Sequence, residues 1–183
     1  MIEHLVSKEQ LASERKDEVR FSRIINESLQ TRARSPRFNE TTVFLSHKHS
    51  DGEVLRNVIS MLRNCGVSVY VDWMDSEMPT HTSGVTATKI KEKISSCQKF
   101  ILLATESAIA SKWCNWELGY GDAHKYRDNI AIMPIVETRG DTFSGSEYLQ
   151  IYPVIKTKYQ FTSGEYYIVD GNTEIPLGDW LII

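Results

Sequence analysis

Three observations predict an α/β fold in which a parallel sheet is buried between layers of helix. From Thr41 onward, short apolar runs alternate with amphipathic stretches, the pattern of repeated strand-helix-strand units. The runs are continuous rather than alternating, as in Phe100-Ile101-Leu102-Leu103-Ala104, which marks strands covered on both faces. With 183 residues and 41% hydrophobic content, the chain can fill one core of ordinary size.

Ser7 followed three residues later by Gln10 is a capping-box pattern. Leu11, Phe21, Ile24, Ile25 and Leu29 follow it at loosely helical spacing, so residues 8–31 are expected to form one or two helices. Thr31-Arg32-Ala33-Arg34-Ser35-Pro36-Arg37 breaks the pattern, because proline restricts its predecessor and the arginines repel one another. This stretch reads as a linker. Residues 1–40 are therefore expected to be a helical N-terminal extension, followed by the main domain over 41–158.

Within that domain the expected strands are Val43–Leu45, Val67–Val71, Phe100–Ala104 and Ile130–Val136, with a weaker fifth near Val154–Lys158. Helices are expected over 52–65, 86–96 and 112–127. Ser50 and Glu53 form a second capping-box pattern, and Gly66 supplies a left-handed stop after Cys65. After Pro153 the pattern loosens. Tyr166-Tyr167-Ile168-Val169 is expected as an edge strand and Asp170-Gly171-Asn172 as a turn. Residues 178–183 are expected to dock onto the body, within a C-terminal extension over 159–183.

A net charge of -3 and a pI near 6.0 give no field to attract a polyanion, which argues against a nucleic-acid partner. Cys65, Cys97 and Cys114 are odd in number and lack CxxC spacing, so they read as reduced core thiols of a cytoplasmic protein. No window approaches the roughly 18 apolar residues of a membrane span, and no membrane partner is expected.

Ligands of parallel α/β sheets bind beyond the C-terminal ends of the strands, and three polar segments lie there. The first, Ser46-His47-Lys48-His49-Ser50-Asp51, is rich in donors and leads into a helix N-terminus, which suits a phosphate. Its plainer reading is a pair of caps and two exposed histidines. His47 and His49 lack a third partner at ligand spacing, so no metal site is expected. The second segment starts with Asp72, placed to accept hydrogen bonds from ribose hydroxyls or to cap a helix, and continues into the long loop Trp73 to Gly84.

The third segment is Ser111-Lys112-Trp113-Cys114-Asn115-Trp116-Glu117-Leu118. On a helix, Trp113 and Glu117 share a face, placing an indole wall beside a carboxylate, a pair suited to a planar cation such as a pyridinium. Gly119 and Gly121 each cost about 1 kcal/mol within a helix, which calls for a close approach of backbone or ligand.

Phe44-Leu45-Ser46-His47 with Asp51, then Val69-Tyr70-Val71-Asp72 with its long loop, then Ser111-Lys112-Trp113-Cys114 with Glu117-Leu118, together resemble a Toll/interleukin-1 receptor (TIR) domain over roughly Thr41 to Lys158. The resemblance implies a flavodoxin-like three-layer fold with a five-stranded parallel sheet. It implies an NAD+-cleaving enzyme in which Glu117 is catalytic and Trp113 packs against the ligand. Ser46, His47, Lys48, Asp51, Asp72 and Trp73 complete the expected binding set. No cofactor is expected beyond the substrate NAD+.

The resemblance extends to the TIR component of Thoeris-type antiphage defence. That implies an ADP-ribose-derived signal, assembly with further copies through TIR–TIR contacts, and a separate effector that senses the product. The competing reading within the family is a non-catalytic adaptor, against which the presence of both Trp113 and Glu117 counts. A response-regulator receiver would need an aspartate after the third strand, where Thr105-Glu106-Ser107 stands instead. The loop after Asp72 departs from the family in placing Pro79 well before Gly84, and residues 1–40 and 159–183 match no general TIR pattern.

Overall fold

The computed structural model describes residues 2–13, 40–75, 83–138, 140–143, 145–158 and 165–182. The elements in order are β1 (Val6–Ser7), α1 (Lys8–Ser13), β2 (Thr42–Ser46), α2 (Gly52–Asn64), β3 (Ser68–Tyr70), α3 (Gly84–Ser96), β4 (Lys99–Ala104), α4 (Glu106–Ile109), α5 (Lys112–His124), β5 (Ile130–Val136), β6 (Val154–Thr157), β7 (Tyr166–Asp170), β8 (Thr173–Pro176) and α6 (Leu177–Ile182). The rest of the helix expected over 8–31, the linker and the central part of the loop after Asp72 lie outside the described residues.

Five parallel strands form the centre of the sheet in the order β3-β2-β4-β5-β6, as the flavodoxin-like expectation requires. The described sheet has eight strands rather than five, because antiparallel β7 and β8 extend it beyond β6 and β1 pairs with β5. Tyr166–Asp170 is therefore an inner strand, and β8 forms the edge.

Every residue of β4 and β5 is buried, and the two side-chain sets of the pleat feed two separate cores. Val43, Leu45, Ile101, Leu103 and Met133 meet Leu55, Val58 and Leu62 of α2. Phe44, Phe100, Leu102 and Ile132 meet Ile90 and Ile94 of α3 and Leu118 of α5. On that second face Phe44 stacks on both Tyr70 and Phe100, with ring centroids 5.5 Å apart in each pair, tying the three neighbouring strands together.

Local signals account for several element ends. Ser7 Oγ accepts from the Gln10 N–H, and Gly66 has a φ of 82° just past α2. The second capping box does not form. Asp51, not Ser50, is the N-cap of α2, with no side-chain cap bond, because its carboxylate is engaged elsewhere.

Residues 2–13, assigned on sequence to an extension, are built into the sheet. Ile132 turns its N–H toward β6 and donates to Pro153 O at 2.8 Å, but two residues on Pro134 has no N–H to offer that side. The β5–β6 pairing accordingly stops at Ile132 and Val154. Beyond it, Val6 and Ser7 pair with Ile135 and Val136, while Thr157 N donates to His4 O at 2.9 Å. Val6 and Leu11 are fully buried in the α2-side core with Trp180 and Leu181 of α6.

The two helical glycines differ. A Cβ on Gly121 would lie 3.2 Å from the buried Phe100 ring, whereas one on Gly119 meets nothing. We expect Gly119→Ala to raise stability by about 1 kcal/mol, a melting-point gain of about 2–4 °C. Gly121→Ala should forfeit that gain to overpacking, a contrast read by thermal denaturation.

Candidate active site

The sheet reverses its winding between β2 and β4, the switch point where such folds open a crevice. The end of β2 lies there, and α5 lies across it. Ser111 caps α5, its Oγ accepting from Cys114 N, and the first turns project Trp113 and Glu117 toward the end of β2. Glu117 is only 3% exposed. Ser46, the last residue of β2, donates its hydroxyl to Glu117 Oε2 at 2.6 Å, and the Trp113 side chain, a second donor alongside, also favours the ionised carboxyl.

Burial outweighs these two donors and, with the nearby Asp72 charge, pushes the Glu117 carboxyl up to about 8. A carboxyl in this setting stays largely neutral near pH 7 until a positive charge enters. A positive charge placed beside it would favour the ionised form.

His47 closes the next side. A carbonyl can only accept, so His47 Nδ1 carries the proton it gives to Leu45 O at 3.0 Å, leaving Nε2 to face Asp72 Oδ1 at 3.6 Å. The same Asp72 oxygen accepts from Trp73 N at 2.8 Å. Cys114, read on sequence as a core thiol and as part of the Ser111–Cys114 motif, donates Sγ–H to His47 O at 3.2 Å and so ties the loop after β2 to α5. Burial pushes this thiol up, keeping it a donor. Its position three residues before Glu117 was the only sequence signal for that role.

The structure thus brings Ser46, His47, Asp72 and Trp113 together around Glu117. Their duties differ from the expected ones in part. Ser46's hydroxyl is spent on Glu117, and Trp113 is half-buried, its ring 4.9 Å from Trp116 in a tilted pair. Asp51 turns away to accept from Thr105 Oγ1 at 2.5 Å and Ser107 Oγ at 2.7 Å, fastening the start of α4. Lys48 is exposed, and Trp73, 44% exposed, meets His49 edge-on.

The TIR domain family pattern matches residues 43–159, about two thirds of the chain. The chain belongs to the TIR domain family. A protein of Bacillus cereus strain MSX-D12, provisionally named a 3′ cyclic ADP-D-ribose synthase (ThsB′), is 33% identical over 116 residues, 62% of this chain and 59% of that protein. A protein of Cytobacillus dafuensis, provisionally named a cyclic ADP-D-ribose synthase (TIR2), is 28% identical over 81 residues, 43% of this chain and 21% of that protein. The chain therefore spans less than two thirds of the length of either relative. Among the described residues no helix is long and apolar enough to cross a membrane.

A sharp test of the site concerns Ser46. Its hydroxyl favours the ionised form of Glu117, so Ser46→Ala should raise the Glu117 pKa further and move the pH–rate profile to higher pH. Turnover at pH 7 should fall about 10–100-fold, with Ser46→Thr recovering part of it.

Proposed function

We propose that this TIR protein cleaves the nicotinamide–ribose bond of NAD+ and closes the remaining ADP-ribosyl group into a cyclic product. The observation that carries the reading is the buried Glu117 carboxyl, held by Ser46 and flanked by Trp113 at the sheet's switch point. The relatives' names supply the product class.

The chemistry suits one carboxylate. The C–N bond breaks with its electron pair going to nitrogen, so a pyridinium leaves as neutral nicotinamide without a general acid. The positive charge passes to the ribosyl carbon and ring oxygen, where an adjacent carboxylate stabilises it. A nucleophile within the same ADP-ribosyl group then captures the cation, and any proton it sheds goes to Glu117 or solvent. Trp113 and Asp72 both neighbour Glu117, and Asp72 is the group that would accept from ribose hydroxyls.

TIR–TIR assembly and a separate effector that senses the product complete the proposed pathway in antiphage defence. A purely adaptor TIR domain has no use for a carboxyl held neutral in a crevice at this energetic cost. The test is incubation of the purified chain with NAD+ over a wide protein concentration, followed by mass analysis. Release of nicotinamide with a product weighing one water less than ADP-ribose supports the proposal; ADP-ribose alone would convert it to hydrolysis. Intact NAD+ at all concentrations, with phage-infected cell extract added as a source of trigger, would sink it.

A further inference from the structure

The parting of β5 and β6 at Pro134 leaves a cavity of about 740 Å³ on the α5 side of the sheet, sharing no lining residue with the Glu117 site. Its volume falls within the roughly 300–1,000 Å³ typical of small-molecule sites. Ile132 and Pro134 of β5 and Val154 of β6 form an apolar floor. Leu149 and the half-buried Phe143 ring come from the β5–β6 connection, and residues 3–5 close one end.

The charges are graded by depth. On β6, Ile155 and Thr157 point to the α2 side, so Val154 and Lys156 must point into the cavity. Lys156 is half-buried, lines the cavity beside Val154, and makes no ion pair among the described residues. The next lysine, Lys158, has Glu165 instead. The cavity's two carboxylates, Glu3 and Asp141, are exposed at the rim, and Asp141 already accepts from Thr138 N and Oγ1. The half-buried His4 adds a further polar ring beside the floor. An inner cation over an apolar floor, with the acids outside in water, selects for a negative group attached to an apolar body.

We propose that this cavity is a second small-molecule site, taking an organic anion with an aromatic or apolar body and one carboxylate or phosphate. Because its wall includes residues 3–5, which lead directly into β1, an occupant would pin the N-terminal segment against the split between β5 and β6. The site would then stabilise the fold as well as bind.

Three probes with one ring system separate charge from hydrophobic contact. We would titrate 1-naphthoate, 1-naphthyl phosphate and neutral 1-naphthylmethanol into the full chain by calorimetry, with melting temperature as a second readout. At least one anion should bind saturably below about 1 mM and about tenfold or more tighter than the alcohol. The tighter of the two anions identifies the acid group, carboxylate or phosphate. Lys156→Gln should erase the preference for the anion, and Lys156→Arg should keep it. Trp113→Ala should leave binding unchanged, which separates this site from the NAD+ site whatever that site's activity. Val154→Trp, which fills the floor, should abolish binding should Lys156→Gln fail to fold. Absence of saturable binding, an unchanged anion preference in a folded Lys156→Gln protein, or loss of binding in Trp113→Ala would each overturn the proposal.

Discussion

Glu117→Gln is expected to lower nicotinamide release by about a thousandfold or more while increasing the stability of the protein at alkaline pH. Glutamine keeps the shape and an oxygen for Ser46 to donate to, but it cannot carry the negative charge that a ribosyl cation requires. The stability effect follows from linkage. The folded-state pKa of Glu117 is raised from 4.5 to about 8, so the folded protein holds this proton more tightly than the unfolded chain does.

The resulting contribution is fully present below about pH 4.5 and is lost as pH rises through about 8. Wild-type stability should therefore fall over that window, by an amount on the order of a few kcal/mol, and Glu117→Gln should remove most of the decline. Chemical denaturation of both proteins at pH 5, 7 and 9 measures it. The same titration appears in the kinetics. Wild-type kcat/KM should climb with pH and level off above about 8, since that ratio reports ionisation in the free enzyme. Parallel stability curves for the two proteins would show that Glu117 ionises as an ordinary surface acid and would remove the electrostatic argument for its role.

Breaking the N-terminal wedge is expected to damage the fold at a distance from any catalytic group. Leu11 is 1% exposed and packs in the core shared with α2 and α6, so Leu11→Ala should cost about 3 kcal/mol, lowering the melting temperature by roughly 6–12 °C. Val6→Asp should do worse. It places a charge at a fully buried position between strands, and the chain should lose cooperative folding near neutral pH. Thermal scans of both variants, with Ala12→Ser on the exposed side of α1 as the neutral control, decide the matter. A melting curve for Val6→Asp matching the wild type would show that β1 is dispensable.

The central strands were legible because each is a continuous apolar run too short for a helix, and burial on both faces leaves that run no polar alternative. Ile130–Val136 was located to the residue, and no other strand end moved by more than one residue. The Trp113/Glu117 pair was legible because helical spacing alone places the two on one face. Asp51 misled because an acid before a helix fits an anion-rich cap, a ligand loop and a neighbour's hydroxyls equally well; only the arrival of Thr105 and Ser107 chooses among them.

Sequence alone thus determined the class of fold, the positions of the central parallel strands, and the helical spacing that sets Trp113 and Glu117 on one face. Tertiary structure decided what no local pattern encodes. It made Glu117 a buried acid by laying α5 over the end of β2, and it spent Ser46 on holding that acid. It also drew residues 2–13 into the sheet, because a proline in a central strand leaves a backbone gap that another segment must fill. Local spacing is written in neighbours along the chain, whereas desolvation and strand pairing depend on partners far apart in sequence, as Ser46 is from Glu117 and Val6 from Ile135.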